Sequence, residues 1–265
     1  MNLFLPGMYV AADSAVHRLD PRVKGATALL LMILPFAAPE PASQLLLVAF
    51  VAAVAALSQV PLRALIGTLR TVFWLGLFMF VFYFFTTPGR AWIVWGPVAP
   101  SWEGLLAGAT QIYRLCLLVT ISALLSFTTS PAQVAHALEV TLGPLGRLGL
   151  PVREAAMVVT IALRFVPTLN EELENLVRAQ AARGADIRSP RPWRRVAAWV
   201  PVFVPLFVAA FRRAEELATA MEARGFRGMQ ARTHLYELRI ARHDGVAALV
   251  VFGLVAAAYA LQWLS

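Results

Sequence analysis

The chain reads as an all-α integral membrane protein, with about five transmembrane helices and long cytosolic amphipathic helices, on three features. Of its 265 residues 59% are hydrophobic and 14% charged, and the mean hydropathy is +0.68, too apolar to hide inside a water-soluble fold. Stretches without Asp, Glu, Lys or Arg occupy 41–62, 71–89, 115–138 and 245–265, each close to the length that crosses about 30 Å of hydrocarbon. The basic residues, finally, are distributed one-sidedly along the chain.

Taken in order, the first span is 25–39, short and carrying Pro35. Asp20-Pro21 ahead of it starts a helix, with Asp as cap and Pro in the first turn. Arg22 and Lys24 then anchor the cytoplasmic boundary. The polar leader and the adjoining second span argue against a cleaved signal peptide. Pro39-Glu40-Pro41 turns the chain into the second span, 42–60, making a helical hairpin. The third span, 71–88, is aromatic-rich and faces lipid or a partner. Trp92, Trp95 and Trp102 in the outer loop form an interfacial belt. The fourth span, 104–127, contains Arg114, an expensive residue at that depth expected to snorkel or to pair with Glu103 or a backbone carbonyl. The fifth span is 245–264.

With these spans and a cytoplasmic N-terminus, 16 of the 23 basic residues fall in 128–244 and Arg90 alone lies outside. The positive-inside rule favours this orientation and a division into 1–127 (N-terminal segment and four spans), 128–244 (cytosolic) and 245–265 (last span). Within the cytosolic region, 155–169 is expected to dip into the membrane and 196–211 to touch it. Pro201 and Pro205 are expected to break or kink the second of these.

Residues 168–183 place Leu169, Leu173, Leu176 and Val177 on one stripe, and 206–224 do the same with Leu206, Ala210, Leu217 and Met221. Both patterns are helical. Each ends in the same tripeptide, Ala182-Arg183-Gly184 and Ala223-Arg224-Gly225. One Arg-Gly at a helix end reads as a cap with a dipole-compensating charge. Two of them read as a pair of guanidiniums held at helix tips, suited to bidentate contact with carboxylates on a partner.

With its Asp13–Lys24 motif "DSAVHRLDPRVK", its apolar spans, its basic region with two Ala-Arg-Gly tripeptides and its final span, nearly the whole chain resembles the transmembrane T component of energy-coupling factor (ECF) transporters. The resemblance implies a non-catalytic scaffold of an importer for vitamins or transition metals in the prokaryotic plasma membrane. It implies as partners two ATPase subunits, docked at Arg183 and Arg224, and a substrate-binding S component, contacted by long coupling helices. It also marks His17, Asp20, Pro21 and Arg22 as the family's N-terminal motif, read here as structural.

Several functions are disfavoured by the residues themselves. Lys24, the one lysine, is flanked by Val23 and Gly25, so no Walker A loop exists. His17, His136, His234 and His243 match no zinc spacing, and no Gly-x-Ser-x-Gly elbow occurs. No catalytic residue, metal, cofactor or nucleic-acid partner is therefore expected. The alternative is a stand-alone membrane enzyme or permease that handles an anionic ligand through the arginine-rich region.

Overall fold

A computed structural model describes residues 12–88, 101–144, 149, 151–185, 191–226, 228 and 241–264. They form the helices α1 (Pro21–Ala37), α2 (Pro41–Leu57), α3 (Leu62–Thr86), α4 (Trp102–Thr128), α5 (Pro131–Leu142), α6 (Val152–Ala182), α7 (Pro192–Ala223) and α8 (Arg242–Leu264). The all-α membrane class holds, and the five expected spans fall mainly on α1, α2, α3, α4 and α8. The chain forms two compact units, Met1–Ala137 with Leu238–Ser265, and Leu138–Glu237.

In the first unit, α1 packs on α4 and α8, and α2 packs on the same two helices. The hairpin is thus open: α1 and α2 face one another across a four-helix ring. An apolar cavity of about 240 Å³ lies within it, lined by Leu31, Phe50, Val54, Leu124 and Val251. At one end of the ring, Ser43 Oγ donates to the Ala258 carbonyl at 2.9 Å and Tyr113 Oη to the Gln44 carbonyl at 3.0 Å. The Gln44 amide reaches back to the carbonyls of Pro35 and Ala38 at 3.0 and 2.7 Å. These bonds satisfy carbonyls at the end of α1 that no helical donor reaches.

The apolar run 115–138 is not one helix. Thr129 is extended, as is favoured near Pro131, and Ser130 with Gln133 builds a reciprocal capping box: Ser130 N–H donates to Gln133 Oε1 at 2.9 Å and Gln133 N–H to Ser130 Oγ at 3.3 Å. That box starts α5.

α3 lies along α4 at very close range. A methyl group on Gly104 would stand 2.7 Å from the Phe84 carbonyl oxygen, and one on Gly108 would stand 2.9 Å from the Phe80 ring. Two glycines four residues apart let the backbones approach where lipid supplies no hydrophobic drive. Much of α3 opposite this seam, including Trp74, Phe78 and Phe82, is exposed.

In the second unit α6 packs on α7. Both helices are longer than the periodic stripes alone predict, and α7 runs unbroken through Pro201 and Pro205, correcting the expected break. A proline removes the amide that would bond the carbonyl four residues earlier. Pro205 therefore frees the Pro201 carbonyl, and Gln180 Nε2 of α6 donates to it at 3.4 Å. The neighbouring helix thus helps the prolines to be tolerated. Among the described residues four helices, α3, α4, α7 and α8, are long and apolar enough to cross a membrane. The presence of α7 among them follows from its apolar first two-thirds.

Replacing Gly104 or Gly108 by Ala is expected to destabilise the first unit by about 1–3 kcal/mol through overpacking, read as a lower melting midpoint in detergent. Gly253→Ala, in the interior of α8 where a methyl group meets nothing within 4 Å, does not lower the midpoint and raises it slightly through helix propensity.

Candidate functional site

Each Ala-Arg-Gly tripeptide closes a helix, and the two closures are built alike. Arg183 caps α6 with φ −82° and ψ 5°, and Arg224 caps α7 with φ −87° and ψ 8°. Gly184 and Gly225 follow at φ +85° and +74°, the left-handed region that L side chains avoid. Gly184 N–H donates to the Ala181 carbonyl at 3.0 Å and Ala185 N–H to the Gln180 carbonyl at 3.0 Å. Gly225 N–H donates to the Glu222 carbonyl at 2.9 Å and Phe226 N–H to the Met221 carbonyl at 3.0 Å. Both are Schellman motifs. The glycine turns the chain away and leaves the preceding arginine at the tip, where the negative end of the helix dipole favours a cation. Both arginines are exposed, and neither has an ion pair among the described residues.

Contacts between the two helices set the direction of the tips. Gln180 meets Pro201, while Glu172, two turns back on α6, meets Arg213, three turns on along α7, at 3.7 Å. The helices therefore run antiparallel. Arg183 lies near the level of Pro201, and Arg224 lies roughly 35 Å further along α7, at 1.5 Å per residue. Two identical cationic tips thus sit at opposite ends of one helix pair. The i,i+4 pair Arg178–Glu174 at 3.0 Å is exposed and adds little.

The N-terminal motif forms a second cluster. Asp20 accepts the Arg22 N–H at 2.8 Å and caps α1, with Pro21 in the first turn. Ser14 Oγ lies 2.7 Å from His17 Nδ1. On the exposed side, Arg18 grips Asp13 with two bonds of 2.8 Å, and those hydrogen bonds hold the Asp13 carboxyl below its ordinary range. Arg22 is partly exposed and stays near the Asp20 carboxylate.

Lys24 corrects the expectation of a boundary anchor, because it is 5% exposed. Its ammonium donates to the His17 and Thr128 carbonyls, each at 3.0 Å. Asp244, 1% exposed, accepts the Asp20 N–H through Oδ1 and the Ala241 N–H through Oδ2, both at 2.7 Å. The missed residues are thus Lys24, Thr128 and Asp244. A usable signal was that Lys24 is the single lysine, a compact three-donor cation where arginine serves everywhere else.

Arg114 does not meet Glu103. Eleven residues of one helix, roughly 16 Å, separate them, and the Arg114 guanidinium lies over the Phe36 ring at 5.1 Å. The ring supplies a cation–π contact in place of a carboxylate. Trp102 begins α4 and is exposed; Arg90, Trp92, Trp95 and His234 lie outside the described residues. Among those residues no group of three His, Cys, Asp or Glu is placed to hold a metal ion.

A family profile described as CbiQ, cobalt transport protein, matches residues 12–235. The chain is 39% identical over 257 residues to the energy-coupling factor transporter transmembrane protein EcfT of Acidaminococcus fermentans, covering 97% of this chain and 96% of that protein. It is 42% identical over 245 residues to the EcfT protein of Brevibacillus brevis, covering 92% of each. To that of Limosilactobacillus fermentum it is 41% identical over 246 residues, again with 92% of each covered.

Replacing either tip glycine, Gly184 or Gly225, by Ala is expected to cost about 1–2 kcal/mol of local stability. Amides of the last turn of the affected helix then exchange with deuterium faster, while those of the other helix do not change.

Proposed function

The chain belongs to the CbiQ family, the transmembrane T components of ECF transporters, and from that premise we propose that it is the non-catalytic coupling subunit of a vitamin or transition-metal importer. Two cytosolic ATPases dock on it at Ala182-Arg183-Gly184 and Ala223-Arg224-Gly225. A separate S component captures the substrate and defines its identity. Energy comes from the ATPases, since the chain carries no phosphate-binding lysine loop of its own.

The observation that carries this reading is the repetition of one cap at opposite ends of an antiparallel pair. A pair of like subunits has two like grooves. Two like tips, each with an exposed guanidinium and no competing carboxylate among the described residues, match that requirement. An acidic groove on each ATPase engages its tip through planar, charge-assisted hydrogen bonds.

The remaining expectations take their place in the same proposal. The N-terminus is cytoplasmic, by the arginine distribution. Residues 1–127 carry the first four membrane helices, 128–244 form the coupling region and 245–265 the last membrane helix. The first two-thirds of α7 exposes Trp193, Val200, Phe203, Phe207 and Phe211 and lies at the membrane, while its polar end, from Arg212 to Arg224, reaches the ATPases. His17, Asp20, Pro21 and Arg22 serve the structure of the membrane unit rather than a partner.

The test is co-purification in detergent with the ATPase pair. Wild type is expected to hold both ATPases, Arg183→Glu or Arg224→Glu to weaken retention, and the double reversal to abolish it, by about 2–5 kcal/mol for each desolvated charge pair lost. Retention unaffected by the double reversal in a properly inserted protein contradicts the docking role.

A further inference from the structure

The end of α4 at Thr128 precedes α5 and the coupling helices, and the start of α8, with Asp244 in its first turn, follows them. Both points are fastened to the same turn of α1. Thr128 is the last residue of α4, so its carbonyl has no helical donor, and Lys24 Nζ supplies one at 3.0 Å. Asp244 stands in the first turn of α8, where a carboxylate opposes the helix dipole favourably. One of its oxygens accepts the Ala241 N–H and closes half a capping box; the other accepts the Asp20 N–H at 2.7 Å. The third ligand of the turn is internal, the His17 carbonyl bonded to the same ammonium at 3.0 Å.

Burial makes this fastening stiff. Asp20, Lys24, Thr128 and Asp244 are 6, 5, 2 and 1% exposed, and burial lowers the pKa of the Lys24 ammonium to about 8 against the opposing pull of the Asp20 and Asp244 charges. Drawing the end of α4 away from α1 takes a carbonyl from a desolvated cation, and drawing the start of α8 away takes an N–H from a desolvated carboxylate, each costlier than parting apolar surfaces. A set of surface ion pairs at the same place yields easily.

We propose that Lys24 and Asp244 are positioning residues for energy coupling: they clamp the outgoing and returning ends of the coupling region together, so that force applied at its tips moves the helices instead of splaying α4 from α8. The clamp rests on the coupling-subunit reading above. It touches neither tip, and it makes no contact with nucleotide or substrate. Its loss therefore uncouples ATP hydrolysis from transport without releasing the ATPases.

The experiment uses the complete importer in proteoliposomes and measures substrate accumulated per ATP hydrolysed, with ATPase retention measured on the same sample. Lys24→Met and Asp244→Asn are expected to keep the ATPases bound and hydrolysing while transport per ATP falls roughly fivefold or more. Lys24→Arg, which preserves donors for the two carbonyls, is expected to recover most of that ratio. An unchanged ratio in assembled Lys24→Met or Asp244→Asn complexes overturns the clamp. If Lys24→Met fails to assemble, Asp244→Asn, which keeps its size and one acceptor oxygen, decides; if both fail, the cluster is a folding element and the proposal is overturned. A wild-type chain that does not retain ATPases removes the coupling reading itself, and the clamp with it.

Discussion

A single ammonium group buried among apolar helices organises one end of the membrane unit. Lys24 has little access to water, so its charge must be met by oxygens already present, and those it finds are backbone carbonyls of the N-terminal turn and of the end of α4. Asp20 and Asp244 add the counter-charge, and Asp244 also begins α8. The starts of α1 and α8 and the end of α4 are consequently brought to one place. The ring of α1, α4, α2 and α8 then follows, with its cavity lined mostly by apolar side chains. At its other end the Gln44 and Ser43 hydrogen bonds set the depth of α2 against α1 and α8.

The coupling region obeys a different constraint. Its helix α7 carries Pro201 and Pro205 within its apolar first two-thirds, and it stays continuous with help from a donor on α6 for a carbonyl that Pro205 orphans. The side chain that does this, Gln180, lies in the last turn of α6, three residues before the Arg183 tip. Packing that stabilises the helix pair and geometry that presents the tip thus share one turn. The antiparallel direction then puts Arg224 far from Arg183, roughly 35 Å along α7 at 1.5 Å per residue.

Much of this was legible in the residues. Hydropathy and run length identify the membrane class because lipid demands whole apolar helices, and glycine after arginine identifies both caps because few other residues accept positive φ. The burial of Lys24 was not legible: a basic residue beside an apolar run ordinarily marks a boundary, and its partners are carbonyls, one of them 104 residues away, which leave no side-chain pattern. The partner of Arg114 was missed for a related reason, since charge reasoning looks for Glu103 whereas the guanidinium settles on Phe36. The continuity of α7 is helped by Gln180, 21 residues from Pro201, and local propensity contains no such term. The crossing order of the ring is likewise a matter of tertiary packing alone.

In the proposed importer the two Ala-Arg-Gly tips engage two separate ATPase subunits. A photo-crosslinking side chain placed at 185, at 226, or at both, in a complex reconstituted from purified chain and ATPases, distinguishes this by the mass of the products. Each single position is expected to capture one ATPase, and the doubly substituted chain to capture two at once. Capture of no ATPase at either position, or of a single subunit by both tips, contradicts it.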